Sequence, residues 1–519
     1  GDYHEFIQHN GGRANAYTTC YLTNYMFEIK PGKLEEALDR FSRFFSEPLL
    51  TRDCTEREIN AVDSEFQMGL TSPWWRYVGI MNMSANKDHP WHVHCGNNQI
   101  LLNGPKERGI DLYEEMLRLY KDFYSANGMT LCVIGPGTVG ELTAMIREKF
   151  SAVENKGLTL PLGDAVSGAE PFLREDWNRL LLQAPVKDVK TLKFAWVIPY
   201  QAPMWRSKPS NYLSHLLGHE GKASITAVLK ARGLISGCVA GDGAWLEGAF
   251  SLLNVEFDLT DKGVDAVEEI GTALFTYLGM LQKLPVEQWI FDELKNLRQA
   301  QFKFGEDRRP FDLASTISQS LQKHPPSDVL AGLQLYYTFD PDAIGDVLQR
   351  LTLDRVRVTH CAKSLAERCT DKDTSYGSPI AFLPLEPSWL AAWEKAQSHA
   401  AAADLGLGLP DPNPFIPEDL SVKDLPASRL PLPVRLPAAA PPLTYVYHRQ
   451  DDVFRQPKAR IVFIIRSPFI LQDVQSFVKT ELWCAAVEEV LNEFAYDAQI
   501  AGLGYSLGMS TGALLLAFA

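Results

Sequence analysis

The sequence predicts an α+β protein made of repeated domains, each a mostly antiparallel sheet covered by helices. Three observations predict it. Extended runs come in pairs that can form hairpins, amphipathic helices follow each pair, and the same order of elements returns along the chain. Similarity of this kind within one chain indicates copies of one structural unit.

The first copy begins with a short helix that ends at a glycine and leads into a hairpin. Two helices follow the hairpin, and a later strand–helix pair fits the same layout. The predicted elements are the helix end at residues 6–12, extended runs at 14–20 and 24–30, helices at 34–45 and around 58–65, a strand at 130–135 and a helix at 139–150.

The second copy repeats this order with a slowly drifting offset, as small loop insertions produce. Matching Gly12 with Gly233 gives 221 (233 − 12), and matching Glu58 with Glu293 gives 235 (293 − 58). Between these, Phe27 pairs with Phe257 at an offset of 230 (257 − 27). Its predicted elements are a helix end at 229–233, extended runs at 234–240 and 252–259, and helices at 264–281 and 286–304.

A third copy begins late in the chain. A β-branched strand at 461–465, a long helix at 474–495 and a glycine corner at 501–505 repeat the same order, and a hairpin should follow. Before it, residues 410–442 hold ten of the 32 prolines, a density that indicates an extended linker. We therefore predict a first domain at 1–165, a second at 185–408, a linker at 409–445 and the start of a third at 446–519.

Composition narrows the class of protein. A hydrophobic content of 46% and a charged content of 22% are ordinary for a globular protein, and no apolar run is long enough to span a bilayer. The net charge of −14 disfavours nucleic acid as a partner. The eight cysteines are scattered without a C-x-x-C pair, which indicates free thiols in a reducing, cytoplasmic compartment.

Glu58 and Glu65 are candidates for a metal site. They stand seven residues apart, two helical turns, and therefore on nearly the same helix face. Ile59, Val62 and Phe66 recur at helical spacing and should pack inward beside them. One of the two carboxylates could bind a metal directly, and the other could orient a second metal ligand. A solvated acidic face is the alternative.

The histidines His215 and His219 stand at i and i+4, the spacing of a metal-binding pair on a helix. A glutamate at position 218 would complete H-x-x-E-H, the inverted zinc-peptidase motif. Gly218 stands there instead, and glycine cannot act as a general base. We predict that this copy is not catalytic, with a structural motif at a helix end as the alternative.

Two other histidine groups carry weaker signals. His89, His92 and His94 lie in a loop with proline and tryptophan, where an ordinary loop is the alternative to a zinc site. His4 and His9 stand at i and i+5, the wrong spacing for a metal pair on a helix. We reject that second group.

Several further stretches occur in order along nearly the whole chain. They are residues 11–18 (GGRANAYT), 37–41 (ALDRF), 57–65 (REINAVDSE), 218–221 (GHEG), 413–417 (NPFIP), and 495–496 with 502–505 (AY and GLGY). Together they resemble the insulin-degrading enzyme (insulysin) branch of the pitrilysin-type zinc metallopeptidases.

This resemblance implies four homologous domains in two bowl-like halves around a chamber that traps peptides. The family's zinc histidines and general-base glutamate lie on H-x-x-E-H in the first domain. Subtracting 221 from 215 and 219 gives −6 and −2, so we expect the catalytic motif upstream of Gly1 and the sequence to be a fragment.

The resemblance also implies roles for individual residues. Glu65 matches the third zinc ligand, and Glu58 matches the carboxylate that orients a zinc histidine. Substrate-binding matches are the edge strand Asn15, Ala16 and Tyr17 and the aromatic Trp75, for which a core tryptophan is the alternative. Matches to an exosite, a second surface that holds the N-terminal end of the substrate, are His215, Gly218, Glu220, Cys238, Val239 and Ala240.

Ala240 departs from the glycine that is usual in the family, and its methyl group should narrow the exosite. The function predicted is zinc-dependent hydrolysis of short peptides, with one Zn²⁺ in the intact enzyme and a homodimer as a further implied state. Two alternatives stay open: a non-catalytic peptide-binding paralogue or partner subunit, and a mitochondrial processing-type peptidase. Retention of Glu65 favours the enzyme, since the second copy has Ala300 in its place.

Overall fold

The computed structural model describes residues 2–19, 21–92, 97, 99–159, 170–246, 249–306, 308–425, 431–437 and 444–519. Its α-helices are α1 Asp2–His9, α2 Leu34–Ser46, α3 Arg52–Gly69, α4 Pro73–Met83, α5 Gly104–Glu107, α6 Leu112–Phe123, α7 Val139–Phe150, α8 Pro209–Leu217, α9 Ile225–Ala231, α10 Asp261–Val264, α11 Val267–Lys283, α12 Gln288–Phe304, α13 Pro310–Lys323, α14 Pro341–Gln349, α15 Pro387–His399 and α16 Val474–Ile500.

The strands pair almost entirely antiparallel. They are β1 Arg13–Thr18, β2 Thr23–Glu28, β3 Arg179–Gln183, β4 Thr191–Pro199, β5 Ile235–Leu246, β6 Phe250–Leu259, β7 Arg357–Cys361, β8 Asp371–Lys372, β9 Pro379–Pro384, β10 Val434–Arg435, β11 Tyr447–His448, β12 Ile461–Arg466, β13 Tyr505–Ser510 and β14 Ala513–Phe518. Two compact units result, the first made of Gly1–His219, Ala223–Gln288 and Asp307–Pro410, the second of Glu220–Lys222, Trp289–Glu306 and Asp411–Ala519.

The first unit contains a seven-stranded sheet in the order β5-β6-β4-β7-β3-β9-β8. Neighbouring strands are antiparallel except β3 and β7, which are parallel. Apolar side chains of β4 and β6 are fully buried, since helices cover the sheet; Phe194 packs edge-to-face on Phe257 and on Phe275 of α11. This sheet is the core of the unit.

Helices α11 and α15 pack so closely that glycine is required at the contact. A Cβ on Gly271 would lie 2.3 Å from the ring of Trp393, and one on Gly279 would lie 2.1 Å from the carbonyl oxygen of Gln397. Trp393 is fully buried and donates its indole N–H to the carbonyl oxygen of Glu268 at 3.0 Å. These two helices therefore form one layer behind the sheet.

The first unit also contains the two-stranded hairpin β1–β2, entered through the glycine corner after α1. Gly11 has φ +69°, a left-handed conformation that glycine adopts without strain. A Cβ on Gly12 would lie 2.1 Å from the carbonyl oxygen of Glu28, so only glycine fits there. Arg13 then pairs with Glu28 at 2.7 Å across the hairpin.

The second unit is organised around one long helix. Its three-stranded sheet has the order β12-β14-β13, and α16 connects β12 to β13. Gly502, with φ +87°, makes the corner between α16 and β13. The hairpin β10–β11 lies in and after the proline-rich segment, where the described residues between 410 and 437 contain no helix.

The predicted fold class, an α+β protein with mostly antiparallel sheets covered by helices, is confirmed. The hairpins at β1–β2 and β5–β6 and the helices α2, α3, α7, α11, α12 and α16 also lie where the sequence predicts them. The predicted strand at residues 130–135 is wrong. That segment has no strand neighbour in the described residues and therefore forms no ladder hydrogen bonds. Among the described residues, no helix is both long and apolar enough to cross a membrane.

Candidate functional site

Glu58 and Glu65 lie on α3 with both side chains exposed. The helix begins at a capped end, where the Thr51 hydroxyl accepts a hydrogen bond from the backbone N–H of Cys54 at 3.4 Å. Ile59 is 8% exposed and anchors the adjacent face of the helix. The structure thus presents both carboxylates to solvent, where either can reach a ligand.

The end of α3 and the start of α4 are held by Tyr376, which lies near the end of the seven-stranded sheet. Its ring stacks on Phe66, with centroids 4.7 Å apart. Arg76 donates from Nη1 to the carbonyl oxygens of Leu70 and Tyr376, at 2.8 and 3.1 Å. These contacts leave no local signal in the sequence, because Arg76 and Tyr376 are 300 residues apart.

Trp75 lies on α4 and is 49% exposed. Its indole ring covers Gly69, where an added Cβ would lie 3.3 Å from the ring. The alternative that Trp75 is a core residue is therefore wrong, since α4 turns its buried face, with Tyr77, Ile80 and Met81, toward the sheet instead. An exposed aromatic surface remains available beside α3.

Asn15, Ala16 and Tyr17 lie in β1 and are all exposed. β1 pairs with β2 alone among the described strands, through Asn15–Met26, Ala16–Tyr25 and Tyr17–Asn24. Its other edge carries backbone N–H and C=O groups that can pair with a further strand. The predicted edge strand is thus an edge in the structure.

His215 and His219 lie at the end of α8, with ring centroids 5.3 Å apart and the rings nearly perpendicular. His219 is 4% exposed. Burial, helped by neighbouring His215, lowers the pKa of His219 to about 4. The imidazole of His219 is therefore neutral and packed inside the protein; that this copy is not catalytic stays a prediction.

Gly218 ends α8 against the strand β5. A Cβ there would lie 3.1 Å from the carbonyl oxygen of Ser214 and 3.2 Å from the backbone nitrogen of Ala240. The methyl group of Ala240 would be 3.4 Å away. A side chain at position 218 would therefore make tight contacts with Ser214 and Ala240, which would have to move by a few tenths of an ångström.

The strand β5, which carries Cys238, Val239 and Ala240, is the outer strand of the seven-stranded sheet. Val239 is 68% exposed, whereas Cys238 is buried with its sulfur 3.8 Å from the carbonyl oxygen of Leu217. Glu220 belongs to the second compact unit, where its carboxylate accepts a hydrogen bond from the Asn492 amide at 2.7 Å. The two copies thus each expose an edge strand, β1 and β5.

A complete metal site is not found among the described residues, in which no three His, Cys, Asp or Glu side chains cluster. His92 contacts the carbonyl oxygen of Ala85 at 3.2 Å, and His89 is 1% exposed. His94 lies outside the described residues. The carboxylates of α3 fit a zinc ligand and its supporting group by chemistry and exposure, but they are only part of a site.

Three models of one family match in succession: the insulinase domain of peptidase family M16 at residues 1–82, the M16 inactive domain at 111–298, and the middle or third M16 domain at 302–519. The chain belongs to peptidase family M16.

Members of family M16 resemble the chain along almost its whole length. The insulin-degrading enzyme of Drosophila melanogaster is 33% identical over 512 residues, which cover 98% of this chain and 50% of that protein. The human insulin-degrading enzyme is 33% identical over 508 residues, covering 98% and 49%. Nardilysin of Pongo abelii is 30% identical over 506 residues, covering 97% and 43%. The chain spans about half the length of these relatives.

A solved structure shares the fold. The crystal structure of pitrilysin superimposes with a TM-score of 0.83 at 23% identity, covering 100% of this chain and 54% of that one. A protease from Helicobacter pylori superimposes with a TM-score of 0.51 at 16% identity, covering 70% and 84%. Both comparisons concern the M16 fold and carry no information on substrate.

Proposed function

We propose that this chain is part of a zinc-dependent endopeptidase of the insulin-degrading type that hydrolyses short peptides. The observation that carries the proposal is the presence, in one compact unit, of an exposed edge strand and an exposed pair of carboxylates. β1 supports binding of a peptide backbone, and Glu65 supports binding of a metal. Neither feature is needed for packing, because both sets of side chains lie outside the core.

The edge strand suits a substrate that is recognised by its backbone. A peptide can extend the β1–β2 sheet by pairing with the free edge at Asn15, Ala16 and Tyr17, which tolerates many side-chain sequences. Trp75 would add an apolar contact near the scissile bond. The second exposed edge, at Val239 and Ala240 of β5, would hold a distal part of the peptide by the same backbone pairing.

The metal would be held by Glu65 as an oxygen ligand, with Glu58 accepting a hydrogen bond from a histidine ligand and so orienting it. A catalytic zinc normally needs three protein ligands, so two imidazoles and a general base would have to come from outside this chain. The chemistry that zinc supplies in such a site is activation of water and polarisation of the scissile carbonyl.

A non-catalytic peptide-binding subunit is the second candidate. The observation that favours it is the H-x-x-x-H at the end of α8, where glycine stands in place of the glutamate and His219 is buried. The second copy would then keep the fold without a general base. If the first copy also lacked a general-base glutamate, its edge strand β1 could still bind a peptide but the protein could not cleave it.

The experiment is a substitution in the longer protein that contains this chain. Glu65→Gln should strongly lower the zinc content, measured by elemental analysis, and peptidase activity on a quenched fluorescent peptide. The matched control is Glu56→Gln, because Glu56 is also exposed on α3 but points half a turn away from Glu65. His92→Ala should leave the zinc content unchanged.

Equal zinc content in Glu65→Gln and Glu56→Gln would refute the role of Glu65, and zinc loss in His92→Ala would move the metal to the loop histidines. Zinc-free protein that still binds peptides with an intact β1 edge would support the binding subunit instead. A cytoplasmic location and a homodimer belong to the same proposal. None of the six cysteines that the structure describes forms a disulfide, which supports a reducing compartment.

A further inference from the structure

Helix α3, which carries Glu65, has few attachments to the rest of the first unit. Of its 18 residues, all of which the structure describes, two are buried, Ile59 and Gly69. Its N-terminal end is tied to α6 by Arg52, which pairs with Asp111 at 2.9 Å. Both side chains of that pair are about half exposed, and such ion pairs contribute little to stability. The orientation of Glu65 therefore depends on what holds the C-terminal half of α3.

Phe66, the residue after Glu65, makes the contact that holds this half of the helix. Its ring stacks on the ring of Tyr376, with centroids 4.7 Å apart and an angle of 23° between the planes. Successive side chains leave a helix about 100° apart, so a helix that cannot rotate at Phe66 cannot rotate at Glu65 either. The stack therefore sets the direction in which Glu65 points.

The ring of Tyr376 lies between α3 and α4. A Cβ on Gly79 of α4 would lie 2.7 Å from this ring, and one on Gly69 of α3 would lie 3.7 Å from it. Glycine at position 79 thus lets the ring sit directly against the backbone of α4. Behind the ring, Arg76 of α4 donates to the carbonyl oxygen of Tyr376 at 3.1 Å. Both the ring and the backbone of Tyr376 are therefore held in place.

The loop that carries Tyr376 is closed by its own hydrogen bonds. It joins β8 to β9 at residues 373–378, and the carboxylate of Asp373 is buried at its centre. This carboxylate accepts hydrogen bonds from the backbone N–H groups of Ser375 and Tyr376, at 2.9 and 2.7 Å, and from that of Ser378. Three donors on one carboxylate leave the backbone at Tyr376 little freedom. The position of the Tyr376 ring is thus fixed by the seven-stranded sheet.

We propose that Tyr376 is a positioning residue for Glu65. Its ring, held by the Asp373 loop, prevents α3 from rotating and so fixes the direction of the Glu65 carboxylate. A functional side chain must be held to within about 0.5 Å and 10–20° of its working geometry, and a contact beside it in the chain can do this. The inference rests on the proposed function, because it takes Glu65 as a zinc ligand. The seven-stranded sheet thereby helps to position a metal ligand on a helix outside it.

The test compares Tyr376→Ala with Tyr376→Phe in the longer protein that contains this chain. Zinc affinity is measured by competition with a chelator, and kcat and KM are measured with the quenched fluorescent peptide at limiting zinc. Tyr376→Ala should weaken zinc binding about 10- to 100-fold, as the loss of a supporting residue does at other metal sites. It should lower kcat and leave KM unchanged, because the β1 edge is untouched. Tyr376→Phe keeps the stacked ring and should bind zinc like the unmodified protein.

A purely structural role for Tyr376 predicts a different pattern. Tyr336 is the matched control, because it is also buried in the first unit but its ring faces the Lys208 ammonium, 5.9 Å away. Tyr336→Ala should lower the melting temperature and leave zinc affinity unchanged. Equal loss of zinc affinity in Tyr336→Ala and Tyr376→Ala would overturn the proposal, as would a loss in Tyr376→Phe as large as that in Tyr376→Ala.

Phe66→Ala removes the same stack from the side of α3 and remains informative if Tyr376→Ala fails to fold. It should weaken zinc binding to a similar extent. The double variant of Phe66 and Tyr376 should bind zinc no more weakly than the weaker single variant, because both substitutions remove one shared contact. Losses of zinc affinity that multiply in the double variant would show that the two residues act independently and would contradict the inference.

Hydrogen exchange of the 519-residue chain gives a measurement that does not involve zinc. Tyr376→Ala should speed exchange of the backbone amides at residues 63–69 and leave those of α7 unchanged, whereas Tyr376→Phe should exchange like the unmodified chain. Unchanged exchange at residues 63–69 would refute the contact on which the inference depends. The proposed function fails separately, if Glu65→Gln retains zinc. If Glu65→Gln loses zinc and Tyr376→Ala does not, the positioning role alone is wrong.

Discussion

Acidification should destabilise the first unit through His219, and replacement of that histidine should remove part of the effect. The side chain is 4% exposed, and burial lowers its pKa to about 4 from an ordinary 6.5. The folded state therefore favours the neutral imidazole. Because the unfolded chain binds a proton near pH 6.5 and the folded chain does not, this stability is complete above about pH 6.5 and decreases as pH falls toward 4.

The magnitude follows from the two pKa values. Each tenfold difference in proton affinity is worth ~1.4 kcal/mol, so full protonation would cost about 3 kcal/mol. Between pH 7 and pH 5 the expected loss in the free energy of unfolding from His219 is about 2 kcal/mol. His360, buried in β7 with its pKa also lowered to about 4 by burial, should add a separate loss over the same range.

The assay is urea unfolding at pH 7, 6 and 5, followed by the fluorescence of the buried Trp196 and Trp393 in the same unit. His219→Gln should be less stable at pH 7 but should lose about 2 kcal/mol less than the unmodified chain on going to pH 5. His399→Gln, at an exposed position at the end of α15, is the control and should keep the original pH dependence. The same pH dependence in His219→Gln and in the unmodified chain would refute the reasoning.

Three further outcomes are expected. Gly279→Ala should lower the free energy of unfolding in urea by about 1–3 kcal/mol, because its Cβ would meet the Gln397 carbonyl oxygen. Gly345→Ala is the control: it has open space around it and should be neutral or stabilise by about 0.5 kcal/mol. Equal effects of the two substitutions would contradict the close helix contact. The 519-residue chain alone should bind zinc poorly and cleave no peptide, because Glu65 is one of the three protein ligands that a catalytic zinc needs. Stoichiometric zinc by elemental analysis together with measurable peptide turnover would contradict this. Ala240→Gly should strengthen peptide binding at the exosite up to about tenfold by calorimetry, because removing the methyl group beside Gly218 widens that site. Unchanged affinity would show that the methyl group does not narrow it.

Local patterns were enough to predict most elements of the fold. The glycine corners at Gly12, Gly233 and Gly502 and the apolar stripe around Ile59 depend on neighbours a few residues away, so periodicity and glycine placement report them directly. The segment at 130–135 was predicted as a strand by the same logic and is not one. Its composition suits a strand, but a strand also needs a paired neighbour, and pairing is decided by distant residues.

The candidate site, like the fold, was only partly predictable from the sequence. The chemistry of Glu58 and Glu65 and their common helix face are properties of eight consecutive residues. The absence of a glutamate between His215 and His219 is likewise evident from the sequence. The exposure of Trp75 cannot be predicted from the sequence, so this residue had two interpretations. The packing of α4 shows that it lies outside the core.

Local spacing along the chain is sufficient to predict the repeat, the order of helices and strands in each copy, and the residue types available for a metal and a peptide. Three-dimensional packing was needed to establish that β1 and β5 are edge strands among the described residues and that Gly218 lies beside Ala240. It also established that β2 pairs with β1 alone among the described strands, whereas β6 pairs with both β5 and β4. Those facts depend on contacts between residues far apart in the chain, and such contacts leave no periodic trace in the sequence.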